Sequence, residues 1–132
     1  MNIIEKILAR ASGRDKVGPG EVVWTDIGLA MTDDLALPLI RTFEAELKTP
    51  KVWDPSRVMI VFDHMVPATT EKAANDQLEI RQFCHQHSLR FFEVGHPEHG
   101  IMTSVAHEQG LARPGMVVVG TDSHTPILGA RA

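Results

Sequence analysis

The sequence predicts an α/β domain of three layers, in which helices cover a mainly parallel β-sheet. Short continuous apolar runs, at residues 57–62 and 116–119, are typical of strands buried on both faces, as in parallel sheets. Segments with helical spacing alternate with such runs, which favours parallel strands joined by helices. The length of 132 residues, with 43% hydrophobic and 23% charged residues, predicts a single globular domain over residues 1–132.

In the first half of the chain, two helices and a short strand are expected. The first helix carries apolar residues at positions i, i+3, i+4 and i+7, namely Ile4, Ile7, Leu8 and Ala11. Residues 21–24 are predicted as a strand. Asp33 and Asp34 suit the start of a second helix, because carboxylates there accept hydrogen bonds from free N–H groups. The apolar positions of that helix are Leu39, Ile40, Phe43 and Leu47.

The second half of the chain continues the alternation after the strand at residues 57–62. Thr70 is a suitable N-cap for a third helix. The apolar stripe of that helix consists of Ile80, Phe83, Cys84 and His87. A strand at 90–94 and a weak helix at 100–109, closed by Gly110, precede the last apolar run at 116–119.

Composition excludes several classes of protein. The 13 basic and 17 acidic residues give a net charge of −4, and the basic residues are scattered, so neither a nucleic-acid partner nor a phosphate patch is expected. No apolar run reaches the roughly 18 residues of a membrane span. The charged residues of the first ten positions argue against a signal peptide, which predicts a cytoplasmic protein without a membrane partner. The single cysteine, Cys84, is predicted to be a buried structural thiol.

Polar side chains follow both apolar strand runs directly. Asp63 and His64 come after the first run, and Asp122, Ser123 and His124 come after the second. Because ligands of open α/β sheets bind at the carboxyl ends of the strands, the two groups are predicted to face one site. An Asp beside a His serves proton transfer, metal ligation or binding of a charged substrate, but Asp is also a common helix cap. The remaining histidines are predicted to be surface or helix-face residues: His85, His87, His96, His99 and His107.

Two motifs resemble the aconitase superfamily, and within it the large subunits of 3-isopropylmalate dehydratase and homoaconitase. They are Val-Phe-Asp-His-Met-Val-Pro-Ala at 61–68 and Gly-Met-Val-Val-Val-Gly-Thr-Asp-Ser-His-Thr at 115–125. The opening segments at 5–10 and 19–21 fit as well. The resemblance implies an aconitase-like N-terminal domain and a hydro-lyase that dehydrates a hydroxy di- or tricarboxylic acid, as in leucine biosynthesis. It also implies a [4Fe–4S] cluster and a small swivel-domain subunit in the complete enzyme.

The same resemblance assigns roles to particular residues. Asp63 and His64 would act as an acid/base pair on the departing hydroxyl, and Asp122 and His124 would support the site. The substrate-binding positions implied are Ser123, Thr125, Met31, Thr103 and Ser104. Three of these depart from the family pattern: Met31 stands where relatives have Gln or His, and Thr103-Ser104 stand where they have His-Gln. Met offers no hydrogen-bond donor, and Thr is no imidazole acid.

The chain is expected to be the N-terminal portion of a catalytic subunit, inactive alone. The family's three cluster-binding cysteines lie further along, so no cluster and no metal is expected on this chain. Two other functions stay open: a carboxylate-binding module without cluster chemistry, and a small metallohydrolase with Asp63, His64, Asp122 and His124 as ligands. An unpaired sheet edge would also favour self-association.

Overall fold

A computed structural model describes residues 1–48 and 50–131. The strands are β1 (Leu29–Asp33), β2 (Val58–Val61), β3 (Arg90–Phe92) and β4 (Val118–Gly120). The helices are α1 (Ile3–Ala11), α2 (Leu37–Glu46), α3 (Glu71–His87) and α4 (Met102–Glu108). Short 3₁₀ segments cover Pro55–Arg57 and Thr125–Arg131. None of the helices in the described ranges is long and apolar enough to cross a membrane.

The strands form one parallel sheet in the order β3-β2-β1-β4. All four strands therefore end at the same edge, and β1 is flanked by β2 on one side and β4 on the other. This arrangement confirms the predicted α/β class with a parallel sheet.

The sheet separates two apolar clusters, so the core has a helical layer on each face. On one face, residues of β1 and β2 such as Leu29 and Met59 pack with Val105 of α4 and Leu128. On the other face, Ile60 and Phe62 pack with residues of α2 and α3. Alternation of side chains along each strand produces this division.

Helix α3 follows its sequence signals closely. Thr70 Oγ1 accepts a hydrogen bond of 3.1 Å from the Ala73 N–H, which confirms the predicted N-cap. Ile80, Phe83 and Cys84 are buried as the stripe predicts. Asn2 and Glu5 form a reciprocal capping box at the start of α1, a signal that the apolar spacing alone does not give.

The predicted elements around β1 are wrong in two places. Residues 21–24 are not a strand, and Trp24 is 93% exposed. The strand lies instead at Leu29–Asp33, where it fits between β2 and β4. Asp33 consequently ends a strand, and α2 begins at Leu37.

The burial of two predicted apolar surfaces also differs. Strand β4 starts two residues later than predicted and lies at the edge of the sheet, where Val119 is 43% exposed. In α1, Ile4 is 65% exposed and Ala9 is the buried residue. Val119 is exposed because β4, as an edge strand, pairs with β1 on one side only among the described residues.

Candidate functional site

The loops after β1, β2 and β4 converge at the carboxyl edge of the sheet. Asp33 is the last residue of β1 and Asp34 follows it, Asp63 and His64 lie after β2, and Asp122 lies after β4. The chain runs from β1 to β2 and β3 on one side of β1, and then crosses to β4 on the other side. Open α/β sheets form a binding crevice at the carboxyl ends of the strands where the strand order reverses in this way.

The His64 ring lies between carboxylates on both of its nitrogen atoms. Nδ1 is 2.8 Å from Asp63 Oδ1, and Nε2 is 3.3 Å from Asp122 Oδ2. Nδ1 also lies 3.8 Å from Asp33 Oδ2 and 3.8 Å from Asp34 Oδ1. The arrangement suits the doubly protonated imidazolium, in which both ring nitrogens donate.

The buried carboxylate of Asp34 holds the loop that carries this pair. Its Oδ1 accepts hydrogen bonds from the N–H groups of Asp63 (3.2 Å) and His64 (2.9 Å). Its Oδ2 accepts from the Met65 N–H at 2.6 Å and from Gln77 Nε2 at 3.4 Å. Asp34 therefore bends the backbone after β2, which lets Asp63 and His64 face one target although they are adjacent in sequence.

The same loop is also tied to the first residue of α4 and to the segment before that helix. Asp63 Oδ2 accepts a hydrogen bond of 2.7 Å from the Met102 N–H at the start of α4. His99 Nε2 lies 2.7 Å from the Phe62 carbonyl oxygen and donates to it. His99 is therefore half-buried beneath the site and not a simple surface residue.

The loop after β4 is organised around Asp122. Its Oδ1 accepts a 2.6 Å hydrogen bond from the His124 N–H and lies 3.3 Å from His124 Nδ1. Thr125 Oγ1 donates to the Asp122 carbonyl at 2.7 Å, so Thr125 shapes this turn. His64 and His124 thus meet through one carboxylate, as the two strand ends predict. The His124 side chain itself is 82% exposed.

These contacts change three pKa values. Burial disfavours the charged imidazolium of His64, but the hydrogen bond to Asp63 and the charges of Asp33, Asp63 and Asp34 outweigh it and raise the pKa above 6.5. Burial raises the pKa of Asp33, against a hydrogen bond from the Leu35 N–H. The His124 N–H lowers the pKa of Asp122.

The other predicted substrate-binding residues lie in different surroundings. Met31 is 3% exposed and packs in the apolar cluster with Leu29 and Met59, so the structure does not bring it to the site surface. Thr103 and Ser104 lie in the first turn of α4, directly after the N–H that Asp63 accepts. Ser123 is exposed, with its Oγ 3.4 Å from His124 Nδ1.

Cysteine chemistry at this edge is limited by the position of Cys84. The thiol is buried between α3 and the sheet, as predicted, and burial raises its pKa to about 12. An iron–sulfur cluster needs several cysteine thiolates around it, and this sequence has one cysteine. The residues present therefore do not fit a [4Fe–4S] cluster.

Within residues 1–48 and 50–131, one group of side chains has metal-compatible spacing: Asp33, Asp34 and His64, whose ligand atoms lie within 4.8 Å of one another. This set differs from the four ligands considered for a metallohydrolase. The oxygens of Asp34 already accept the hydrogen bonds described above, which a metal would have to replace.

Asp33 and Asp34 are the site residues that the sequence analysis missed. The sequence contains the same signal as at β2 and β4, namely acidic residues directly after an apolar run: Thr32-Asp33-Asp34 follows the apolar residues 29–31. Because both carboxylates were assigned to the start of a helix, β1 was not predicted.

Comparisons with known proteins agree with the motifs. The family model described as Aconitase family (aconitate hydratase) matches residues 6–132. A probable 3-isopropylmalate dehydratase large subunit and a probable methanogen homoaconitase large subunit of Methanothermobacter thermautotrophicus are each 46% identical, over 132 and 134 residues. A 3-isopropylmalate dehydratase large subunit of Aquifex aeolicus is 42% identical over 131 residues.

Each of these alignments includes 98% of this chain but 30–31% of the relative. The chain therefore spans about 30% of the length of the curated relatives it matches. With a family match over nearly all of its residues and the predicted motifs joined at one sheet edge, the chain belongs to the aconitase family.

Proposed function

We propose that this chain supplies one side of the active site of a hydro-lyase, of the 3-isopropylmalate dehydratase or homoaconitase type, that removes water from a hydroxy di- or tricarboxylic acid. The observation that carries the proposal is the position of His64, with a carboxylate at each ring nitrogen. A substrate of the isopropylmalate type would place the enzyme in leucine biosynthesis in the cytoplasm.

His64 is proposed as the acid that assists departure of the hydroxyl group. Hydroxide is a poor leaving group, so proton donation to its oxygen as the C–O bond breaks lets it leave as water. The Nε2 contact to Asp122, at 3.3 Å, is longer than the 2.8 Å contact of Nδ1 to Asp63. The proton on Nε2 is therefore held more weakly and is the one to be transferred, while Asp63 keeps the ring oriented.

The second proton change of dehydration involves the neighbouring carbon. The C–H electron pair forms the double bond, and a base takes its proton. We propose that this base lies on the small swivel-domain subunit that the family resemblance implies. Ser123 and His124, both exposed beside Asp122, are proposed to bind a substrate carboxylate.

The [4Fe–4S] cluster implied by the family would supply Lewis-acid chemistry in the complete enzyme. Its thiolate ligands would have to come from outside this chain, because Cys84 is unsuitable. We further propose that residues 1–132 form one α/β domain of the large subunit.

The test is His64→Gln in the complete enzyme, assayed by the ultraviolet absorbance of the unsaturated product. Loss of the acid should lower kcat by about 100-fold or more in a variant whose far-ultraviolet circular dichroism at the assay pH shows that it is folded. His85→Gln is the matched control, since His85 is an exposed histidine of α3. Retention of activity within about threefold in His64→Gln would contradict the proposal.

Two further outcomes separate the alternatives. Carboxylate binding without dehydration by the complete protein would favour the binding module. Stoichiometric metal on the purified 132-residue chain, lost in both His64→Gln and Asp122→Asn, would favour the metallohydrolase.

A further inference from the structure

Four arginines converge on a cleft at the amino end of the sheet, opposite the site described above. Arg10 of α1, Arg57 before β2, Arg90 at the start of β3 and Arg113 before β4 line a cavity of about 680 Å³. They are distant in sequence, which explains why basic residues look scattered and no phosphate patch was predicted. The parallel topology brings Arg57, Arg90 and Arg113 together, because β2, β3 and β4 begin at this edge, and α1 adds Arg10.

Three of these guanidinium groups are held by backbone carbonyl groups. Arg90 Nε donates to the Ser56 carbonyl at 2.9 Å, and Arg113 Nε donates to the Gly110 carbonyl at 2.7 Å. Arg57 Nη1 donates to the Ile27 carbonyl at 3.1 Å. Arg90 and Arg113 are held through Nε, which orients each guanidinium and leaves both of its terminal NH₂ groups for bidentate contacts with an anion.

Arg10 lies over the backbone of Gly115, since a Cβ at Gly115 would be 3.6 Å from Arg10 Nη1. The Arg10 guanidinium makes no hydrogen bond or ion pair with the described residues. In the part of the chain that the structure describes, the acidic groups that line the cleft or pair with its arginines are Asp26, which lines it, and Asp54, whose Oδ2 lies 3.2 Å from Arg57 Nε. Counting these two carboxylates against four guanidinium groups leaves an excess of two positive charges (4 − 2) in a protein whose net charge is −4.

We propose that this cleft binds a compact organic polyanion carrying at least two phosphate or carboxylate groups. Its volume is within the range of small-molecule sites, roughly 300–1,000 Å³. The concave shape and the acidic character of the rest of the chain favour a small ligand over a nucleic acid, which needs an extended basic face. The proposal is independent of the hydro-lyase function, because the two sites lie at opposite ends of the strands.

The test is isothermal titration calorimetry of the full-length protein with pyrophosphate, and separately with citrate, at matched ionic strength. Arg10→Gln should weaken binding about tenfold or more, because a charge-assisted contact is lost. Arg41→Gln is the matched control, since Arg41 is an exposed arginine that pairs with Glu79 between α2 and α3. Should Arg10→Gln fail to fold, Arg113→Gln replaces it.

The two ligands distinguish the kind of anion. Tighter binding of pyrophosphate indicates a phosphorylated ligand, and tighter binding of citrate that is lost in Arg10→Gln indicates a polycarboxylate. Citrate that binds at the carboxyl edge would be lost in His64→Gln and kept in Arg10→Gln. The two variants therefore distinguish failure of the cleft proposal from failure of the proposed hydro-lyase function. Absence of binding by both anions, or equal weakening in Arg10→Gln and Arg41→Gln, would overturn the proposal.

Discussion

At the residue scale, His64 has carboxylates from three different loops around one imidazole ring. Its pKa is raised above the value of 6.5 that it has in the unfolded chain. The stabilisation that it contributes is therefore fully present below about pH 6.5 and is lost as the pH rises through the folded-state pKa.

We therefore expect the unfolding temperature of the wild type to exceed that of His64→Gln most at about pH 6 and least at about pH 9. Thermal denaturation at a series of pH values measures this difference. His85→Gln controls for the loss of one imidazole outside the site. A difference that stays constant or grows with pH would show that the carboxylates do not hold the charged ring.

Individual residue types revealed only part of this site. Asp63, His64, Asp122 and His124 could be predicted because they follow apolar runs in recognisable motifs. The role of Asp34 could not, because it depends on backbone N–H groups about 30 residues away in sequence. Only the pairing of β1 with β2 brings that carboxylate to the bend after β2.

At the element scale, Gly120 determines how closely the loop after β4 approaches β1. A Cβ at Gly120 would lie 2.5 Å from Thr125 Oγ1 and 3.1 Å from Met31 Cγ. Gly120→Ala would therefore push the turn that carries Asp122 and His124 away from the strand.

We expect Gly120→Ala to lower the free energy of unfolding by about 1–3 kcal/mol, as overpacked substitutions do. Gly129→Ala, where an added Cβ meets nothing within 4 Å, should change it by less than about 0.5 kcal/mol. Urea denaturation compares the two variants. Equal stabilities would mean that the loop moves without cost.

The elements themselves were predictable where local signals and burial agreed. Helix α3 has its N-cap and apolar stripe, and β2 is buried on both faces. The sequence predicts a strand at residues 21–24 and not at β1, because residues 22–24 are apolar. Among the described residues, no strand pairs with residues 21–24. Strand pairing is a property of the sheet, which local propensity does not contain.

At the scale of the whole molecule, the parallel sheet separates charges of opposite sign. Its carboxyl edge gathers aspartates around His64, and its amino edge gathers arginines. The side of the sheet at β4 is apolar by contrast: Val119 is 43% exposed, and an apolar groove lined by Ile4, Ile7 and Val118 runs beside it. Exposed edge strands of this kind pair readily with other chains.

From this edge we predict that the 132-residue chain self-associates by pairing β4 with a second copy. Sedimentation velocity should show species larger than a monomer whose fraction rises with protein concentration. Val119→Lys should return the chain to a monomer, because a lysine on an edge strand would have to be desolvated in the pair. Val22→Lys introduces the same charge at an exposed position outside the sheet and should leave association unchanged. A wild-type chain that stays monomeric at millimolar concentration would contradict pairing through β4. Loss of self-association in both lysine variants would show that it depends on net charge and not on β4.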